Sequence, residues 1–105
     1  MAIKTAKRNI QFHGIKNISI YHDNFFDSAA DLHLKNPSDI AILLTNPPYI
    51  SNEDYQTLEP EVLAEPKEAL VADNNGMKII DQCIAFVEQY NMILISEIGH
   101  NQRQY

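Results

Sequence analysis

A continuous apolar run, Ile40-Ala41-Ile42-Leu43-Leu44, stops abruptly at Thr45-Asn46-Pro47-Pro48-Tyr49. An unbroken apolar run of this kind reads as a strand buried on both faces, here residues 40–45, which is what a helix-covered parallel sheet requires. In open α/β sheets, ligands sit in the loops that leave the ends of such strands. The residue types of this loop are chemically particular. Neither Pro47 nor Pro48 has an N–H, so the loop offers mainly acceptors, and each ring fixes its own φ while extending the residue before it. Asn46 adds a side-chain carbonyl and Tyr49 a flat ring. Two carbonyls can accept the two hydrogens of a planar NH2 group while the ring stacks behind it, leaving the nitrogen pointed at an electrophile. The other reading of the same four residues is a proline turn that merely ends a strand, since Asn and Pro are common turn residues.

The rest of the chain alternates helix and strand patterns. Residues 2–13 read as a helix with Ile3, Ala6, Ile10 and His13 near one stripe, closed by Gly14. Residues 17–21 alternate and are rich in isoleucine, so they read as a strand. Residues 23–27 read as a loop, 28–34 as a short helix and Asn36-Pro37-Ser38 as a turn. Residues 46–66 form a long connection with a helical turn near Glu53 to Leu58; loops this long in a compact domain usually carry function. Residues 75–89 read as a helix with an apolar series Met77, Ile80, Cys83, Ile84 and Val87, and 92–96 as a third strand. The order argues one α/β domain, residues 1–105, with a largely parallel sheet.

Composition narrows the function classes. A net charge of −6 argues against standing affinity for nucleic acid or anionic membrane. Lys4, Lys7, Arg8 and Lys16 read as the solvated face of one helix. The single cysteine, Cys83, allows no internal disulfide and fits a reducing, cytoplasmic setting; its place in the apolar series makes it a small core residue rather than a reactive thiol. His13, His22, His33 and His100 lack metal-ligand spacing, so no metal is expected. No apolar run is long enough to span a bilayer, and the polar N-terminus does not read as a signal peptide.

Further motifs lie at both ends of the chain. Downstream of the loop come Glu65-Pro66, Ala69-Leu70 and Gly76-Met77, then Ser96-Glu97-Ile98-Gly99 with Gln102 after it; upstream are Ala2, Ala6, Lys7-Arg8-Asn9 and Asp23-Asn24-Phe25-Phe26. With Asn46-Pro47-Pro48-Tyr49-Ile50, this set resembles the S-adenosylmethionine-dependent methyltransferases that modify glutamine in peptide chain release factors. The resemblance implies a partial Rossmann-like class I methyltransferase sheet, strands three to five of seven, lacking the first two and last two strands. It implies methyl transfer to the side-chain amide nitrogen of a protein glutamine, with S-adenosylmethionine as cofactor and a release factor as partner. Asn46, Pro47, Pro48 and Tyr49 would form the catalytic and target-binding loop, with Glu65 in the substrate site capping or bracing that loop, though Glu65 reads equally as a solvated glutamate. Asp23, Asn24 and Asn46 would face the cofactor, though Asp23-Asn24 reads equally as an ordinary turn. Phe25 and Phe26 read as core, and Glu97 as a hydrogen-bonding residue at the end of the last strand.

The loop alone is shared with adenine-amino methyltransferases acting on DNA or RNA, which stay an alternative; the acidic charge and the Glu65-to-Gly76 segment favour a protein target. The family's glycine-rich cofactor loop has no counterpart, since Gly14, Gly76 and Gly99 do not cluster. The expectation is therefore an internal fragment holding the target-binding half, inactive by itself, with a non-catalytic remnant or assembly partner as the third reading. Strand edges near Ile18-Ile20 and Ile42-Leu44 would lack neighbours, so self-association or complementation by the missing half is expected.

Overall fold

The computed structural model describes residues 2–28 and 42–104. The chain divides into two compact units, residues 1–37 and 38–105. The expected helix over 29–34, the turn at 36–38 and the start of the strand at 40–41 lie outside the described residues.

In the first unit α1 spans Ala2–Phe12. Ile3, Ala6 and Ile10 are its half-buried positions, the expected stripe, whereas His13 is exposed. Gly14 stands at φ +62, with its N–H on the Gln11 carbonyl (3.2 Å) and the Ile15 N–H on Ile10 (3.0 Å). This paired closure is a Schellman ending, and it needs a residue that tolerates the left-handed region. Residues 17–21 are not a strand, contrary to their alternating pattern, and Ile18 and Tyr21 are exposed. A strand exists only where a neighbour takes up its backbone donors and acceptors, and no ladder to this segment is present among the described residues. Residues 25–28 are helical, as expected at 28 but not at 25–27, where a loop was expected. Asn24 caps them: its Oδ1 accepts the Phe26 N–H at 3.0 Å.

In the second unit the elements run β1 Ile42–Thr45, α2 Asn52–Tyr55, α3 Pro60–Leu63, a 3-10 turn Lys67–Ala69, α4 Lys78–Tyr90 and β2 Ile93–Ser96. β1 and β2 pair in parallel, Ile42 opposite Ile93 through Thr45 opposite Ser96. The described sheet thus has two strands rather than the expected three. The register sorts the side chains. Leu43 faces the core with Ile80, Cys83, Phe86 and Val87 of α4, while Ile42, Leu44, Ile93 and Ile95 share the opposite, exposed face. Cys83 is a buried core residue, and burial pushes its thiol pKa above the ordinary 9.0.

α4 begins at Lys78 rather than 75, because Asn74, Asn75 and Gly76 stand in succession at φ +57, +52 and +81. It ends at Asn91, also left-handed at φ +51, with the Met92 N–H on Val87 at 2.9 Å. The long connection contains more structure than one helical turn. Ser51 caps α2 through Oγ to the Asp54 N–H (3.0 Å), and Pro60 opens α3 at a position where a missing N–H costs nothing. Among the described residues no helix is long and apolar enough to cross a membrane, and no group of His, Cys, Asp or Glu is placed to hold a metal.

Candidate active site

The loop Asn46–Tyr49 leaves the C-terminal end of β1, and its two ends are pinned to the rest of the unit. Before it, the Glu97 N–H donates to the Thr45 carbonyl at 3.1 Å. After it, the Ile50 N–H reaches Leu70 (2.9 Å) and the Ala72 N–H returns to Ile50 (3.0 Å), making a one-residue parallel bridge of Ile50 with Val71. The chain between 50 and 70 is therefore folded back beside the loop, and this brings Glu65 to it.

These residues enclose one cleft, lined by Asn46, Pro47, Pro48, Tyr49, Ile50, Val62, Glu65, Ala69, Leu70 and Glu97. Its volume is about 230 Å³, that of roughly eight waters. All five residues expected at the target, Asn46, Pro47, Pro48, Tyr49 and Glu65, line it. Asn46 is exposed at the mouth, and its side-chain amide has no partner among the described residues; Pro47 is buried and Pro48 half-buried. Glu65 is exposed on the rim.

Glu97, read from the sequence as a hydrogen-bonding residue at the end of the last strand, has its partner in the loop. The Tyr49 hydroxyl donates to Glu97 Oε1 at 2.7 Å, across 48 positions of sequence. This bond fixes the ring from its far end. The hydrogen bond to Glu97, partial burial and the nearby carboxylate charge, in that order, hold the Tyr49 pKa above the ordinary 10.0. The protonated phenol is thus the form the fold favours. The stability this contributes is complete below pH 10, where folded and unfolded chains both keep the proton. It is lost as pH rises through the folded value. Glu97→Gln removes the charge and should bring the Tyr49 titration back toward 10, read by NMR of the ring Cζ; a titration unchanged by the substitution would refute the pairing.

The other end of Tyr49 is held by Gln102, whose Nε2 donates to the Tyr49 carbonyl at 3.2 Å. Gly76 packs on the same carbonyl so closely that a Cβ there would overlap it. Asp23 and Asn24 belong to the first unit, and each side chain is used locally: Asp23 Oδ1 accepts the Asn24 N–H at 2.8 Å, and Asn24 Oδ1 the Phe26 N–H. Phe25 and Phe26 pack edge to face at 5.2 Å. A larger cavity of about 380 Å³, lined by Ser51, Glu53, Asp54, Asn74, Asn75, Met77, Asp81, Asn101 and Gln102, shares no lining residue with the cleft.

No protein-family profile matches the chain, and no solved structure matches it. Curated proteins do. The chain is 35% identical to the release factor glutamine methyltransferase of Escherichia coli, over 90% of this chain and 31% of that protein. It is 37% identical to the release factor glutamine methyltransferase of Enterococcus faecalis, over 79% of this chain and 28% of the relative. It is 30% identical to the ribosomal protein uL3 glutamine methyltransferase of Francisella tularensis, over 96% of this chain and 32% of the relative. The chain spans about a third of the length of the curated relatives it matches. Along most of its own length, and over that third of theirs, the chain is similar to the release factor glutamine methyltransferases.

Proposed function

We propose that this chain is the target-binding part of a protein-glutamine methyltransferase, and that the cleft at Asn46–Tyr49 holds the side-chain amide to be methylated. The observation that carries the reading is the cleft's acceptor set: an Asn46 carbonyl without a partner among the described residues, on a double-proline loop, beside a tyrosine ring fixed by Glu97. Asn46 Oδ1 and the Pro47 carbonyl accept the two N–H bonds of the target, Pro48 stiffens the loop, and the Tyr49 ring stacks on the amide plane. Glu65 braces the target from the rim. An amide nitrogen is a weak nucleophile because its lone pair is delocalised. Fixed carbonyls on its hydrogens draw positive charge away from the nitrogen as it reacts and hold it in place, so the gain is electrostatic and positional. The relatives' names point to a release factor or a ribosomal protein as the substrate class.

S-adenosylmethionine is the methyl donor this reading implies, and the cleft does not fit it whole. At about 230 Å³ it lies below the roughly 300–1,000 Å³ typical of pockets for ligands of that size. Its lining has acceptors and two carboxylates, Glu65 and Glu97, which would repel the cofactor's own carboxylate. Asp23 and Asn24 enter as cofactor contacts through the resemblance alone. The same two carboxylates, with a net charge of −6, favour a protein glutamine over an adenine in a phosphate-rich duplex.

The test is a chimera in which this chain replaces the matching third of the Escherichia coli relative. It is offered labelled S-adenosylmethionine with either a release factor or an adenine-containing duplex. Label in the release factor is expected; label in the duplex alone would sink the proposal.

The chain by itself is expected to associate. Ile42, Leu44, Ile93 and Ile95 are 55, 76, 51 and 51% exposed on one sheet face, and a parallel sheet ordinarily has both faces covered. Sedimentation should show oligomers that Leu44→Lys with Ile95→Lys reduces to monomers. A wild-type chain sedimenting as a folded monomer would contradict this.

A further inference from the structure

We propose that Gln102 is a positioning residue for the target cleft, supplying through its side-chain amide the hydrogen bond that the double-proline loop lacks donors to make for itself. The inference takes its functional meaning from the cleft reading above. The measurement that tests it does not depend on that reading.

The loop's own means of holding its shape are few. Pro47 and Pro48 donate nothing, and the backbone bonds that pin the loop lie at Thr45 and Ile50. Between those points the Tyr49 carbonyl is taken by Gln102 Nε2 at 3.2 Å. The orientation of that amide is set by a second bond, the Gly99 N–H donating to Gln102 Oε1 at 2.9 Å. A flipped amide would set NH2 against N–H and oxygen against oxygen, so one orientation alone satisfies both neighbours. The backbone adds a third tie, the Gln102 N–H on the Gly99 carbonyl at 3.0 Å, which closes the turn that carries the side chain.

Gln102 is the buried polar side chain among the described residues, 5% exposed. Burying an amide is unfavourable unless its donors and acceptor are used, and here both ends are used on two backbone groups. One of those groups belongs to the cleft. The segment 97–102 therefore grips Tyr49 twice, at the hydroxyl through Glu97 and at the carbonyl through Gln102. With both ends held, Tyr49 is tied to the segment 97–102 at its backbone and at its tip, which limits how far the end of the loop can move.

The experiment compares Gln102→Met and Gln102→Glu in the full chain by NMR. The Tyr49 carbonyl carbon is read through the Ile50 amide, and the Tyr49 hydroxyl through the ring Cζ. Methionine fills similar space without a donor. It should move the carbonyl resonance upfield, as loss of a hydrogen bond does, and bring the phenol titration toward that of a free tyrosine. Glutamate should show the same loss at neutral pH, where a carboxylate faces a carbonyl. As pH falls through the titration of that carboxyl, one oxygen gains a proton to donate while the other still accepts from Gly99. The wild-type carbonyl shift should then return. A side chain that only fills space would show no acid-side return. Unchanged Tyr49 resonances in Gln102→Met, or a loss in Gln102→Glu that is the same at every pH, would overturn the proposal. If Gln102→Met does not fold, the acid-side return in Gln102→Glu still decides. Intact positioning in a chain whose chimera transfers no methyl group would count against the function and not against Gln102.

Discussion

Gly76→Ala should destabilise the second unit more than any other single methyl added to this chain. Two costs combine. At φ +81 an alanine is strained, by about 1 kcal/mol. Its Cβ would also overlap the Tyr49 carbonyl oxygen and come within 3.0 Å of Gln102 Nε2. The overlapped atom is backbone, which cannot swing aside as a side-chain tip can, so the loop or the start of α4 must move. A total of about 3 kcal/mol or more is expected, in line with overpacking added to backbone strain. That is a large part of the stability of a domain this size. Gly14 supplies the control. It is also left-handed, at φ +62, but nothing lies within 4 Å of an added Cβ. Gly14→Ala should therefore cost about 1 kcal/mol. Urea denaturation of the two variants measures the difference, and equal losses would mean that Tyr49 does not press on Gly76.

Asn46→Ala should act on rate rather than on stability. Asn46 is exposed and its amide holds nothing within the described protein, so its removal leaves no buried group unpaired. In the chimera, on the proposed reading, it deletes one of the two acceptors on the target amide. The loss should be about 2–4 kcal/mol in the barrier, comparable to removing one oxyanion-hole donor, or roughly 30- to 1,000-fold in kcat. Substrate KM should change far less, because the acceptor matters most as charge shifts on the nitrogen. Single-turnover methyl transfer with the variant reads this directly. Near-normal turnover would reduce the loop to a structural turn.

How much of this was legible depended on whether a feature is set locally. α1, α4 and the paired strands were visible because their apolar periodicities match the faces they bury, as Leu43 and the series Ile80, Cys83 and Val87 show. Gly14 was readable as a terminator because a left-handed closure is a property of one residue. Residues 17–21 carry a strand's pattern without being one, since pairing is a property of two segments. The start of α4 was misplaced because Asn74, Asn75 and Gly76 all take the left-handed region, a run that helix propensity does not reveal. The same division holds at the cleft. Asn46, Pro47, Pro48 and Tyr49 were identified from their own chemistry, and Glu65 from the resemblance. The partners that fix Tyr49 lie 48 and 53 positions away: Glu97 was read as a hydrogen-bonding residue without its partner, and Gln102 was quoted only as part of a motif. Their task became clear once β2 lay beside β1, which places the turn after one strand against the loop after the other.

The central claim is that the cleft recognises a side-chain amide. It is tested most directly by titrating the chain, followed by NMR, with two peptides that differ in one residue, glutamine or glutamate. An acceptor-lined cleft bordered by Glu65 and Glu97 should take the first and repel the second. The account expects shifts in the Asn46 side-chain amide and the Tyr49 ring with the glutamine peptide, and none with its glutamate counterpart. Equal shifts with both peptides, or shifts with glutamate alone, would contradict it.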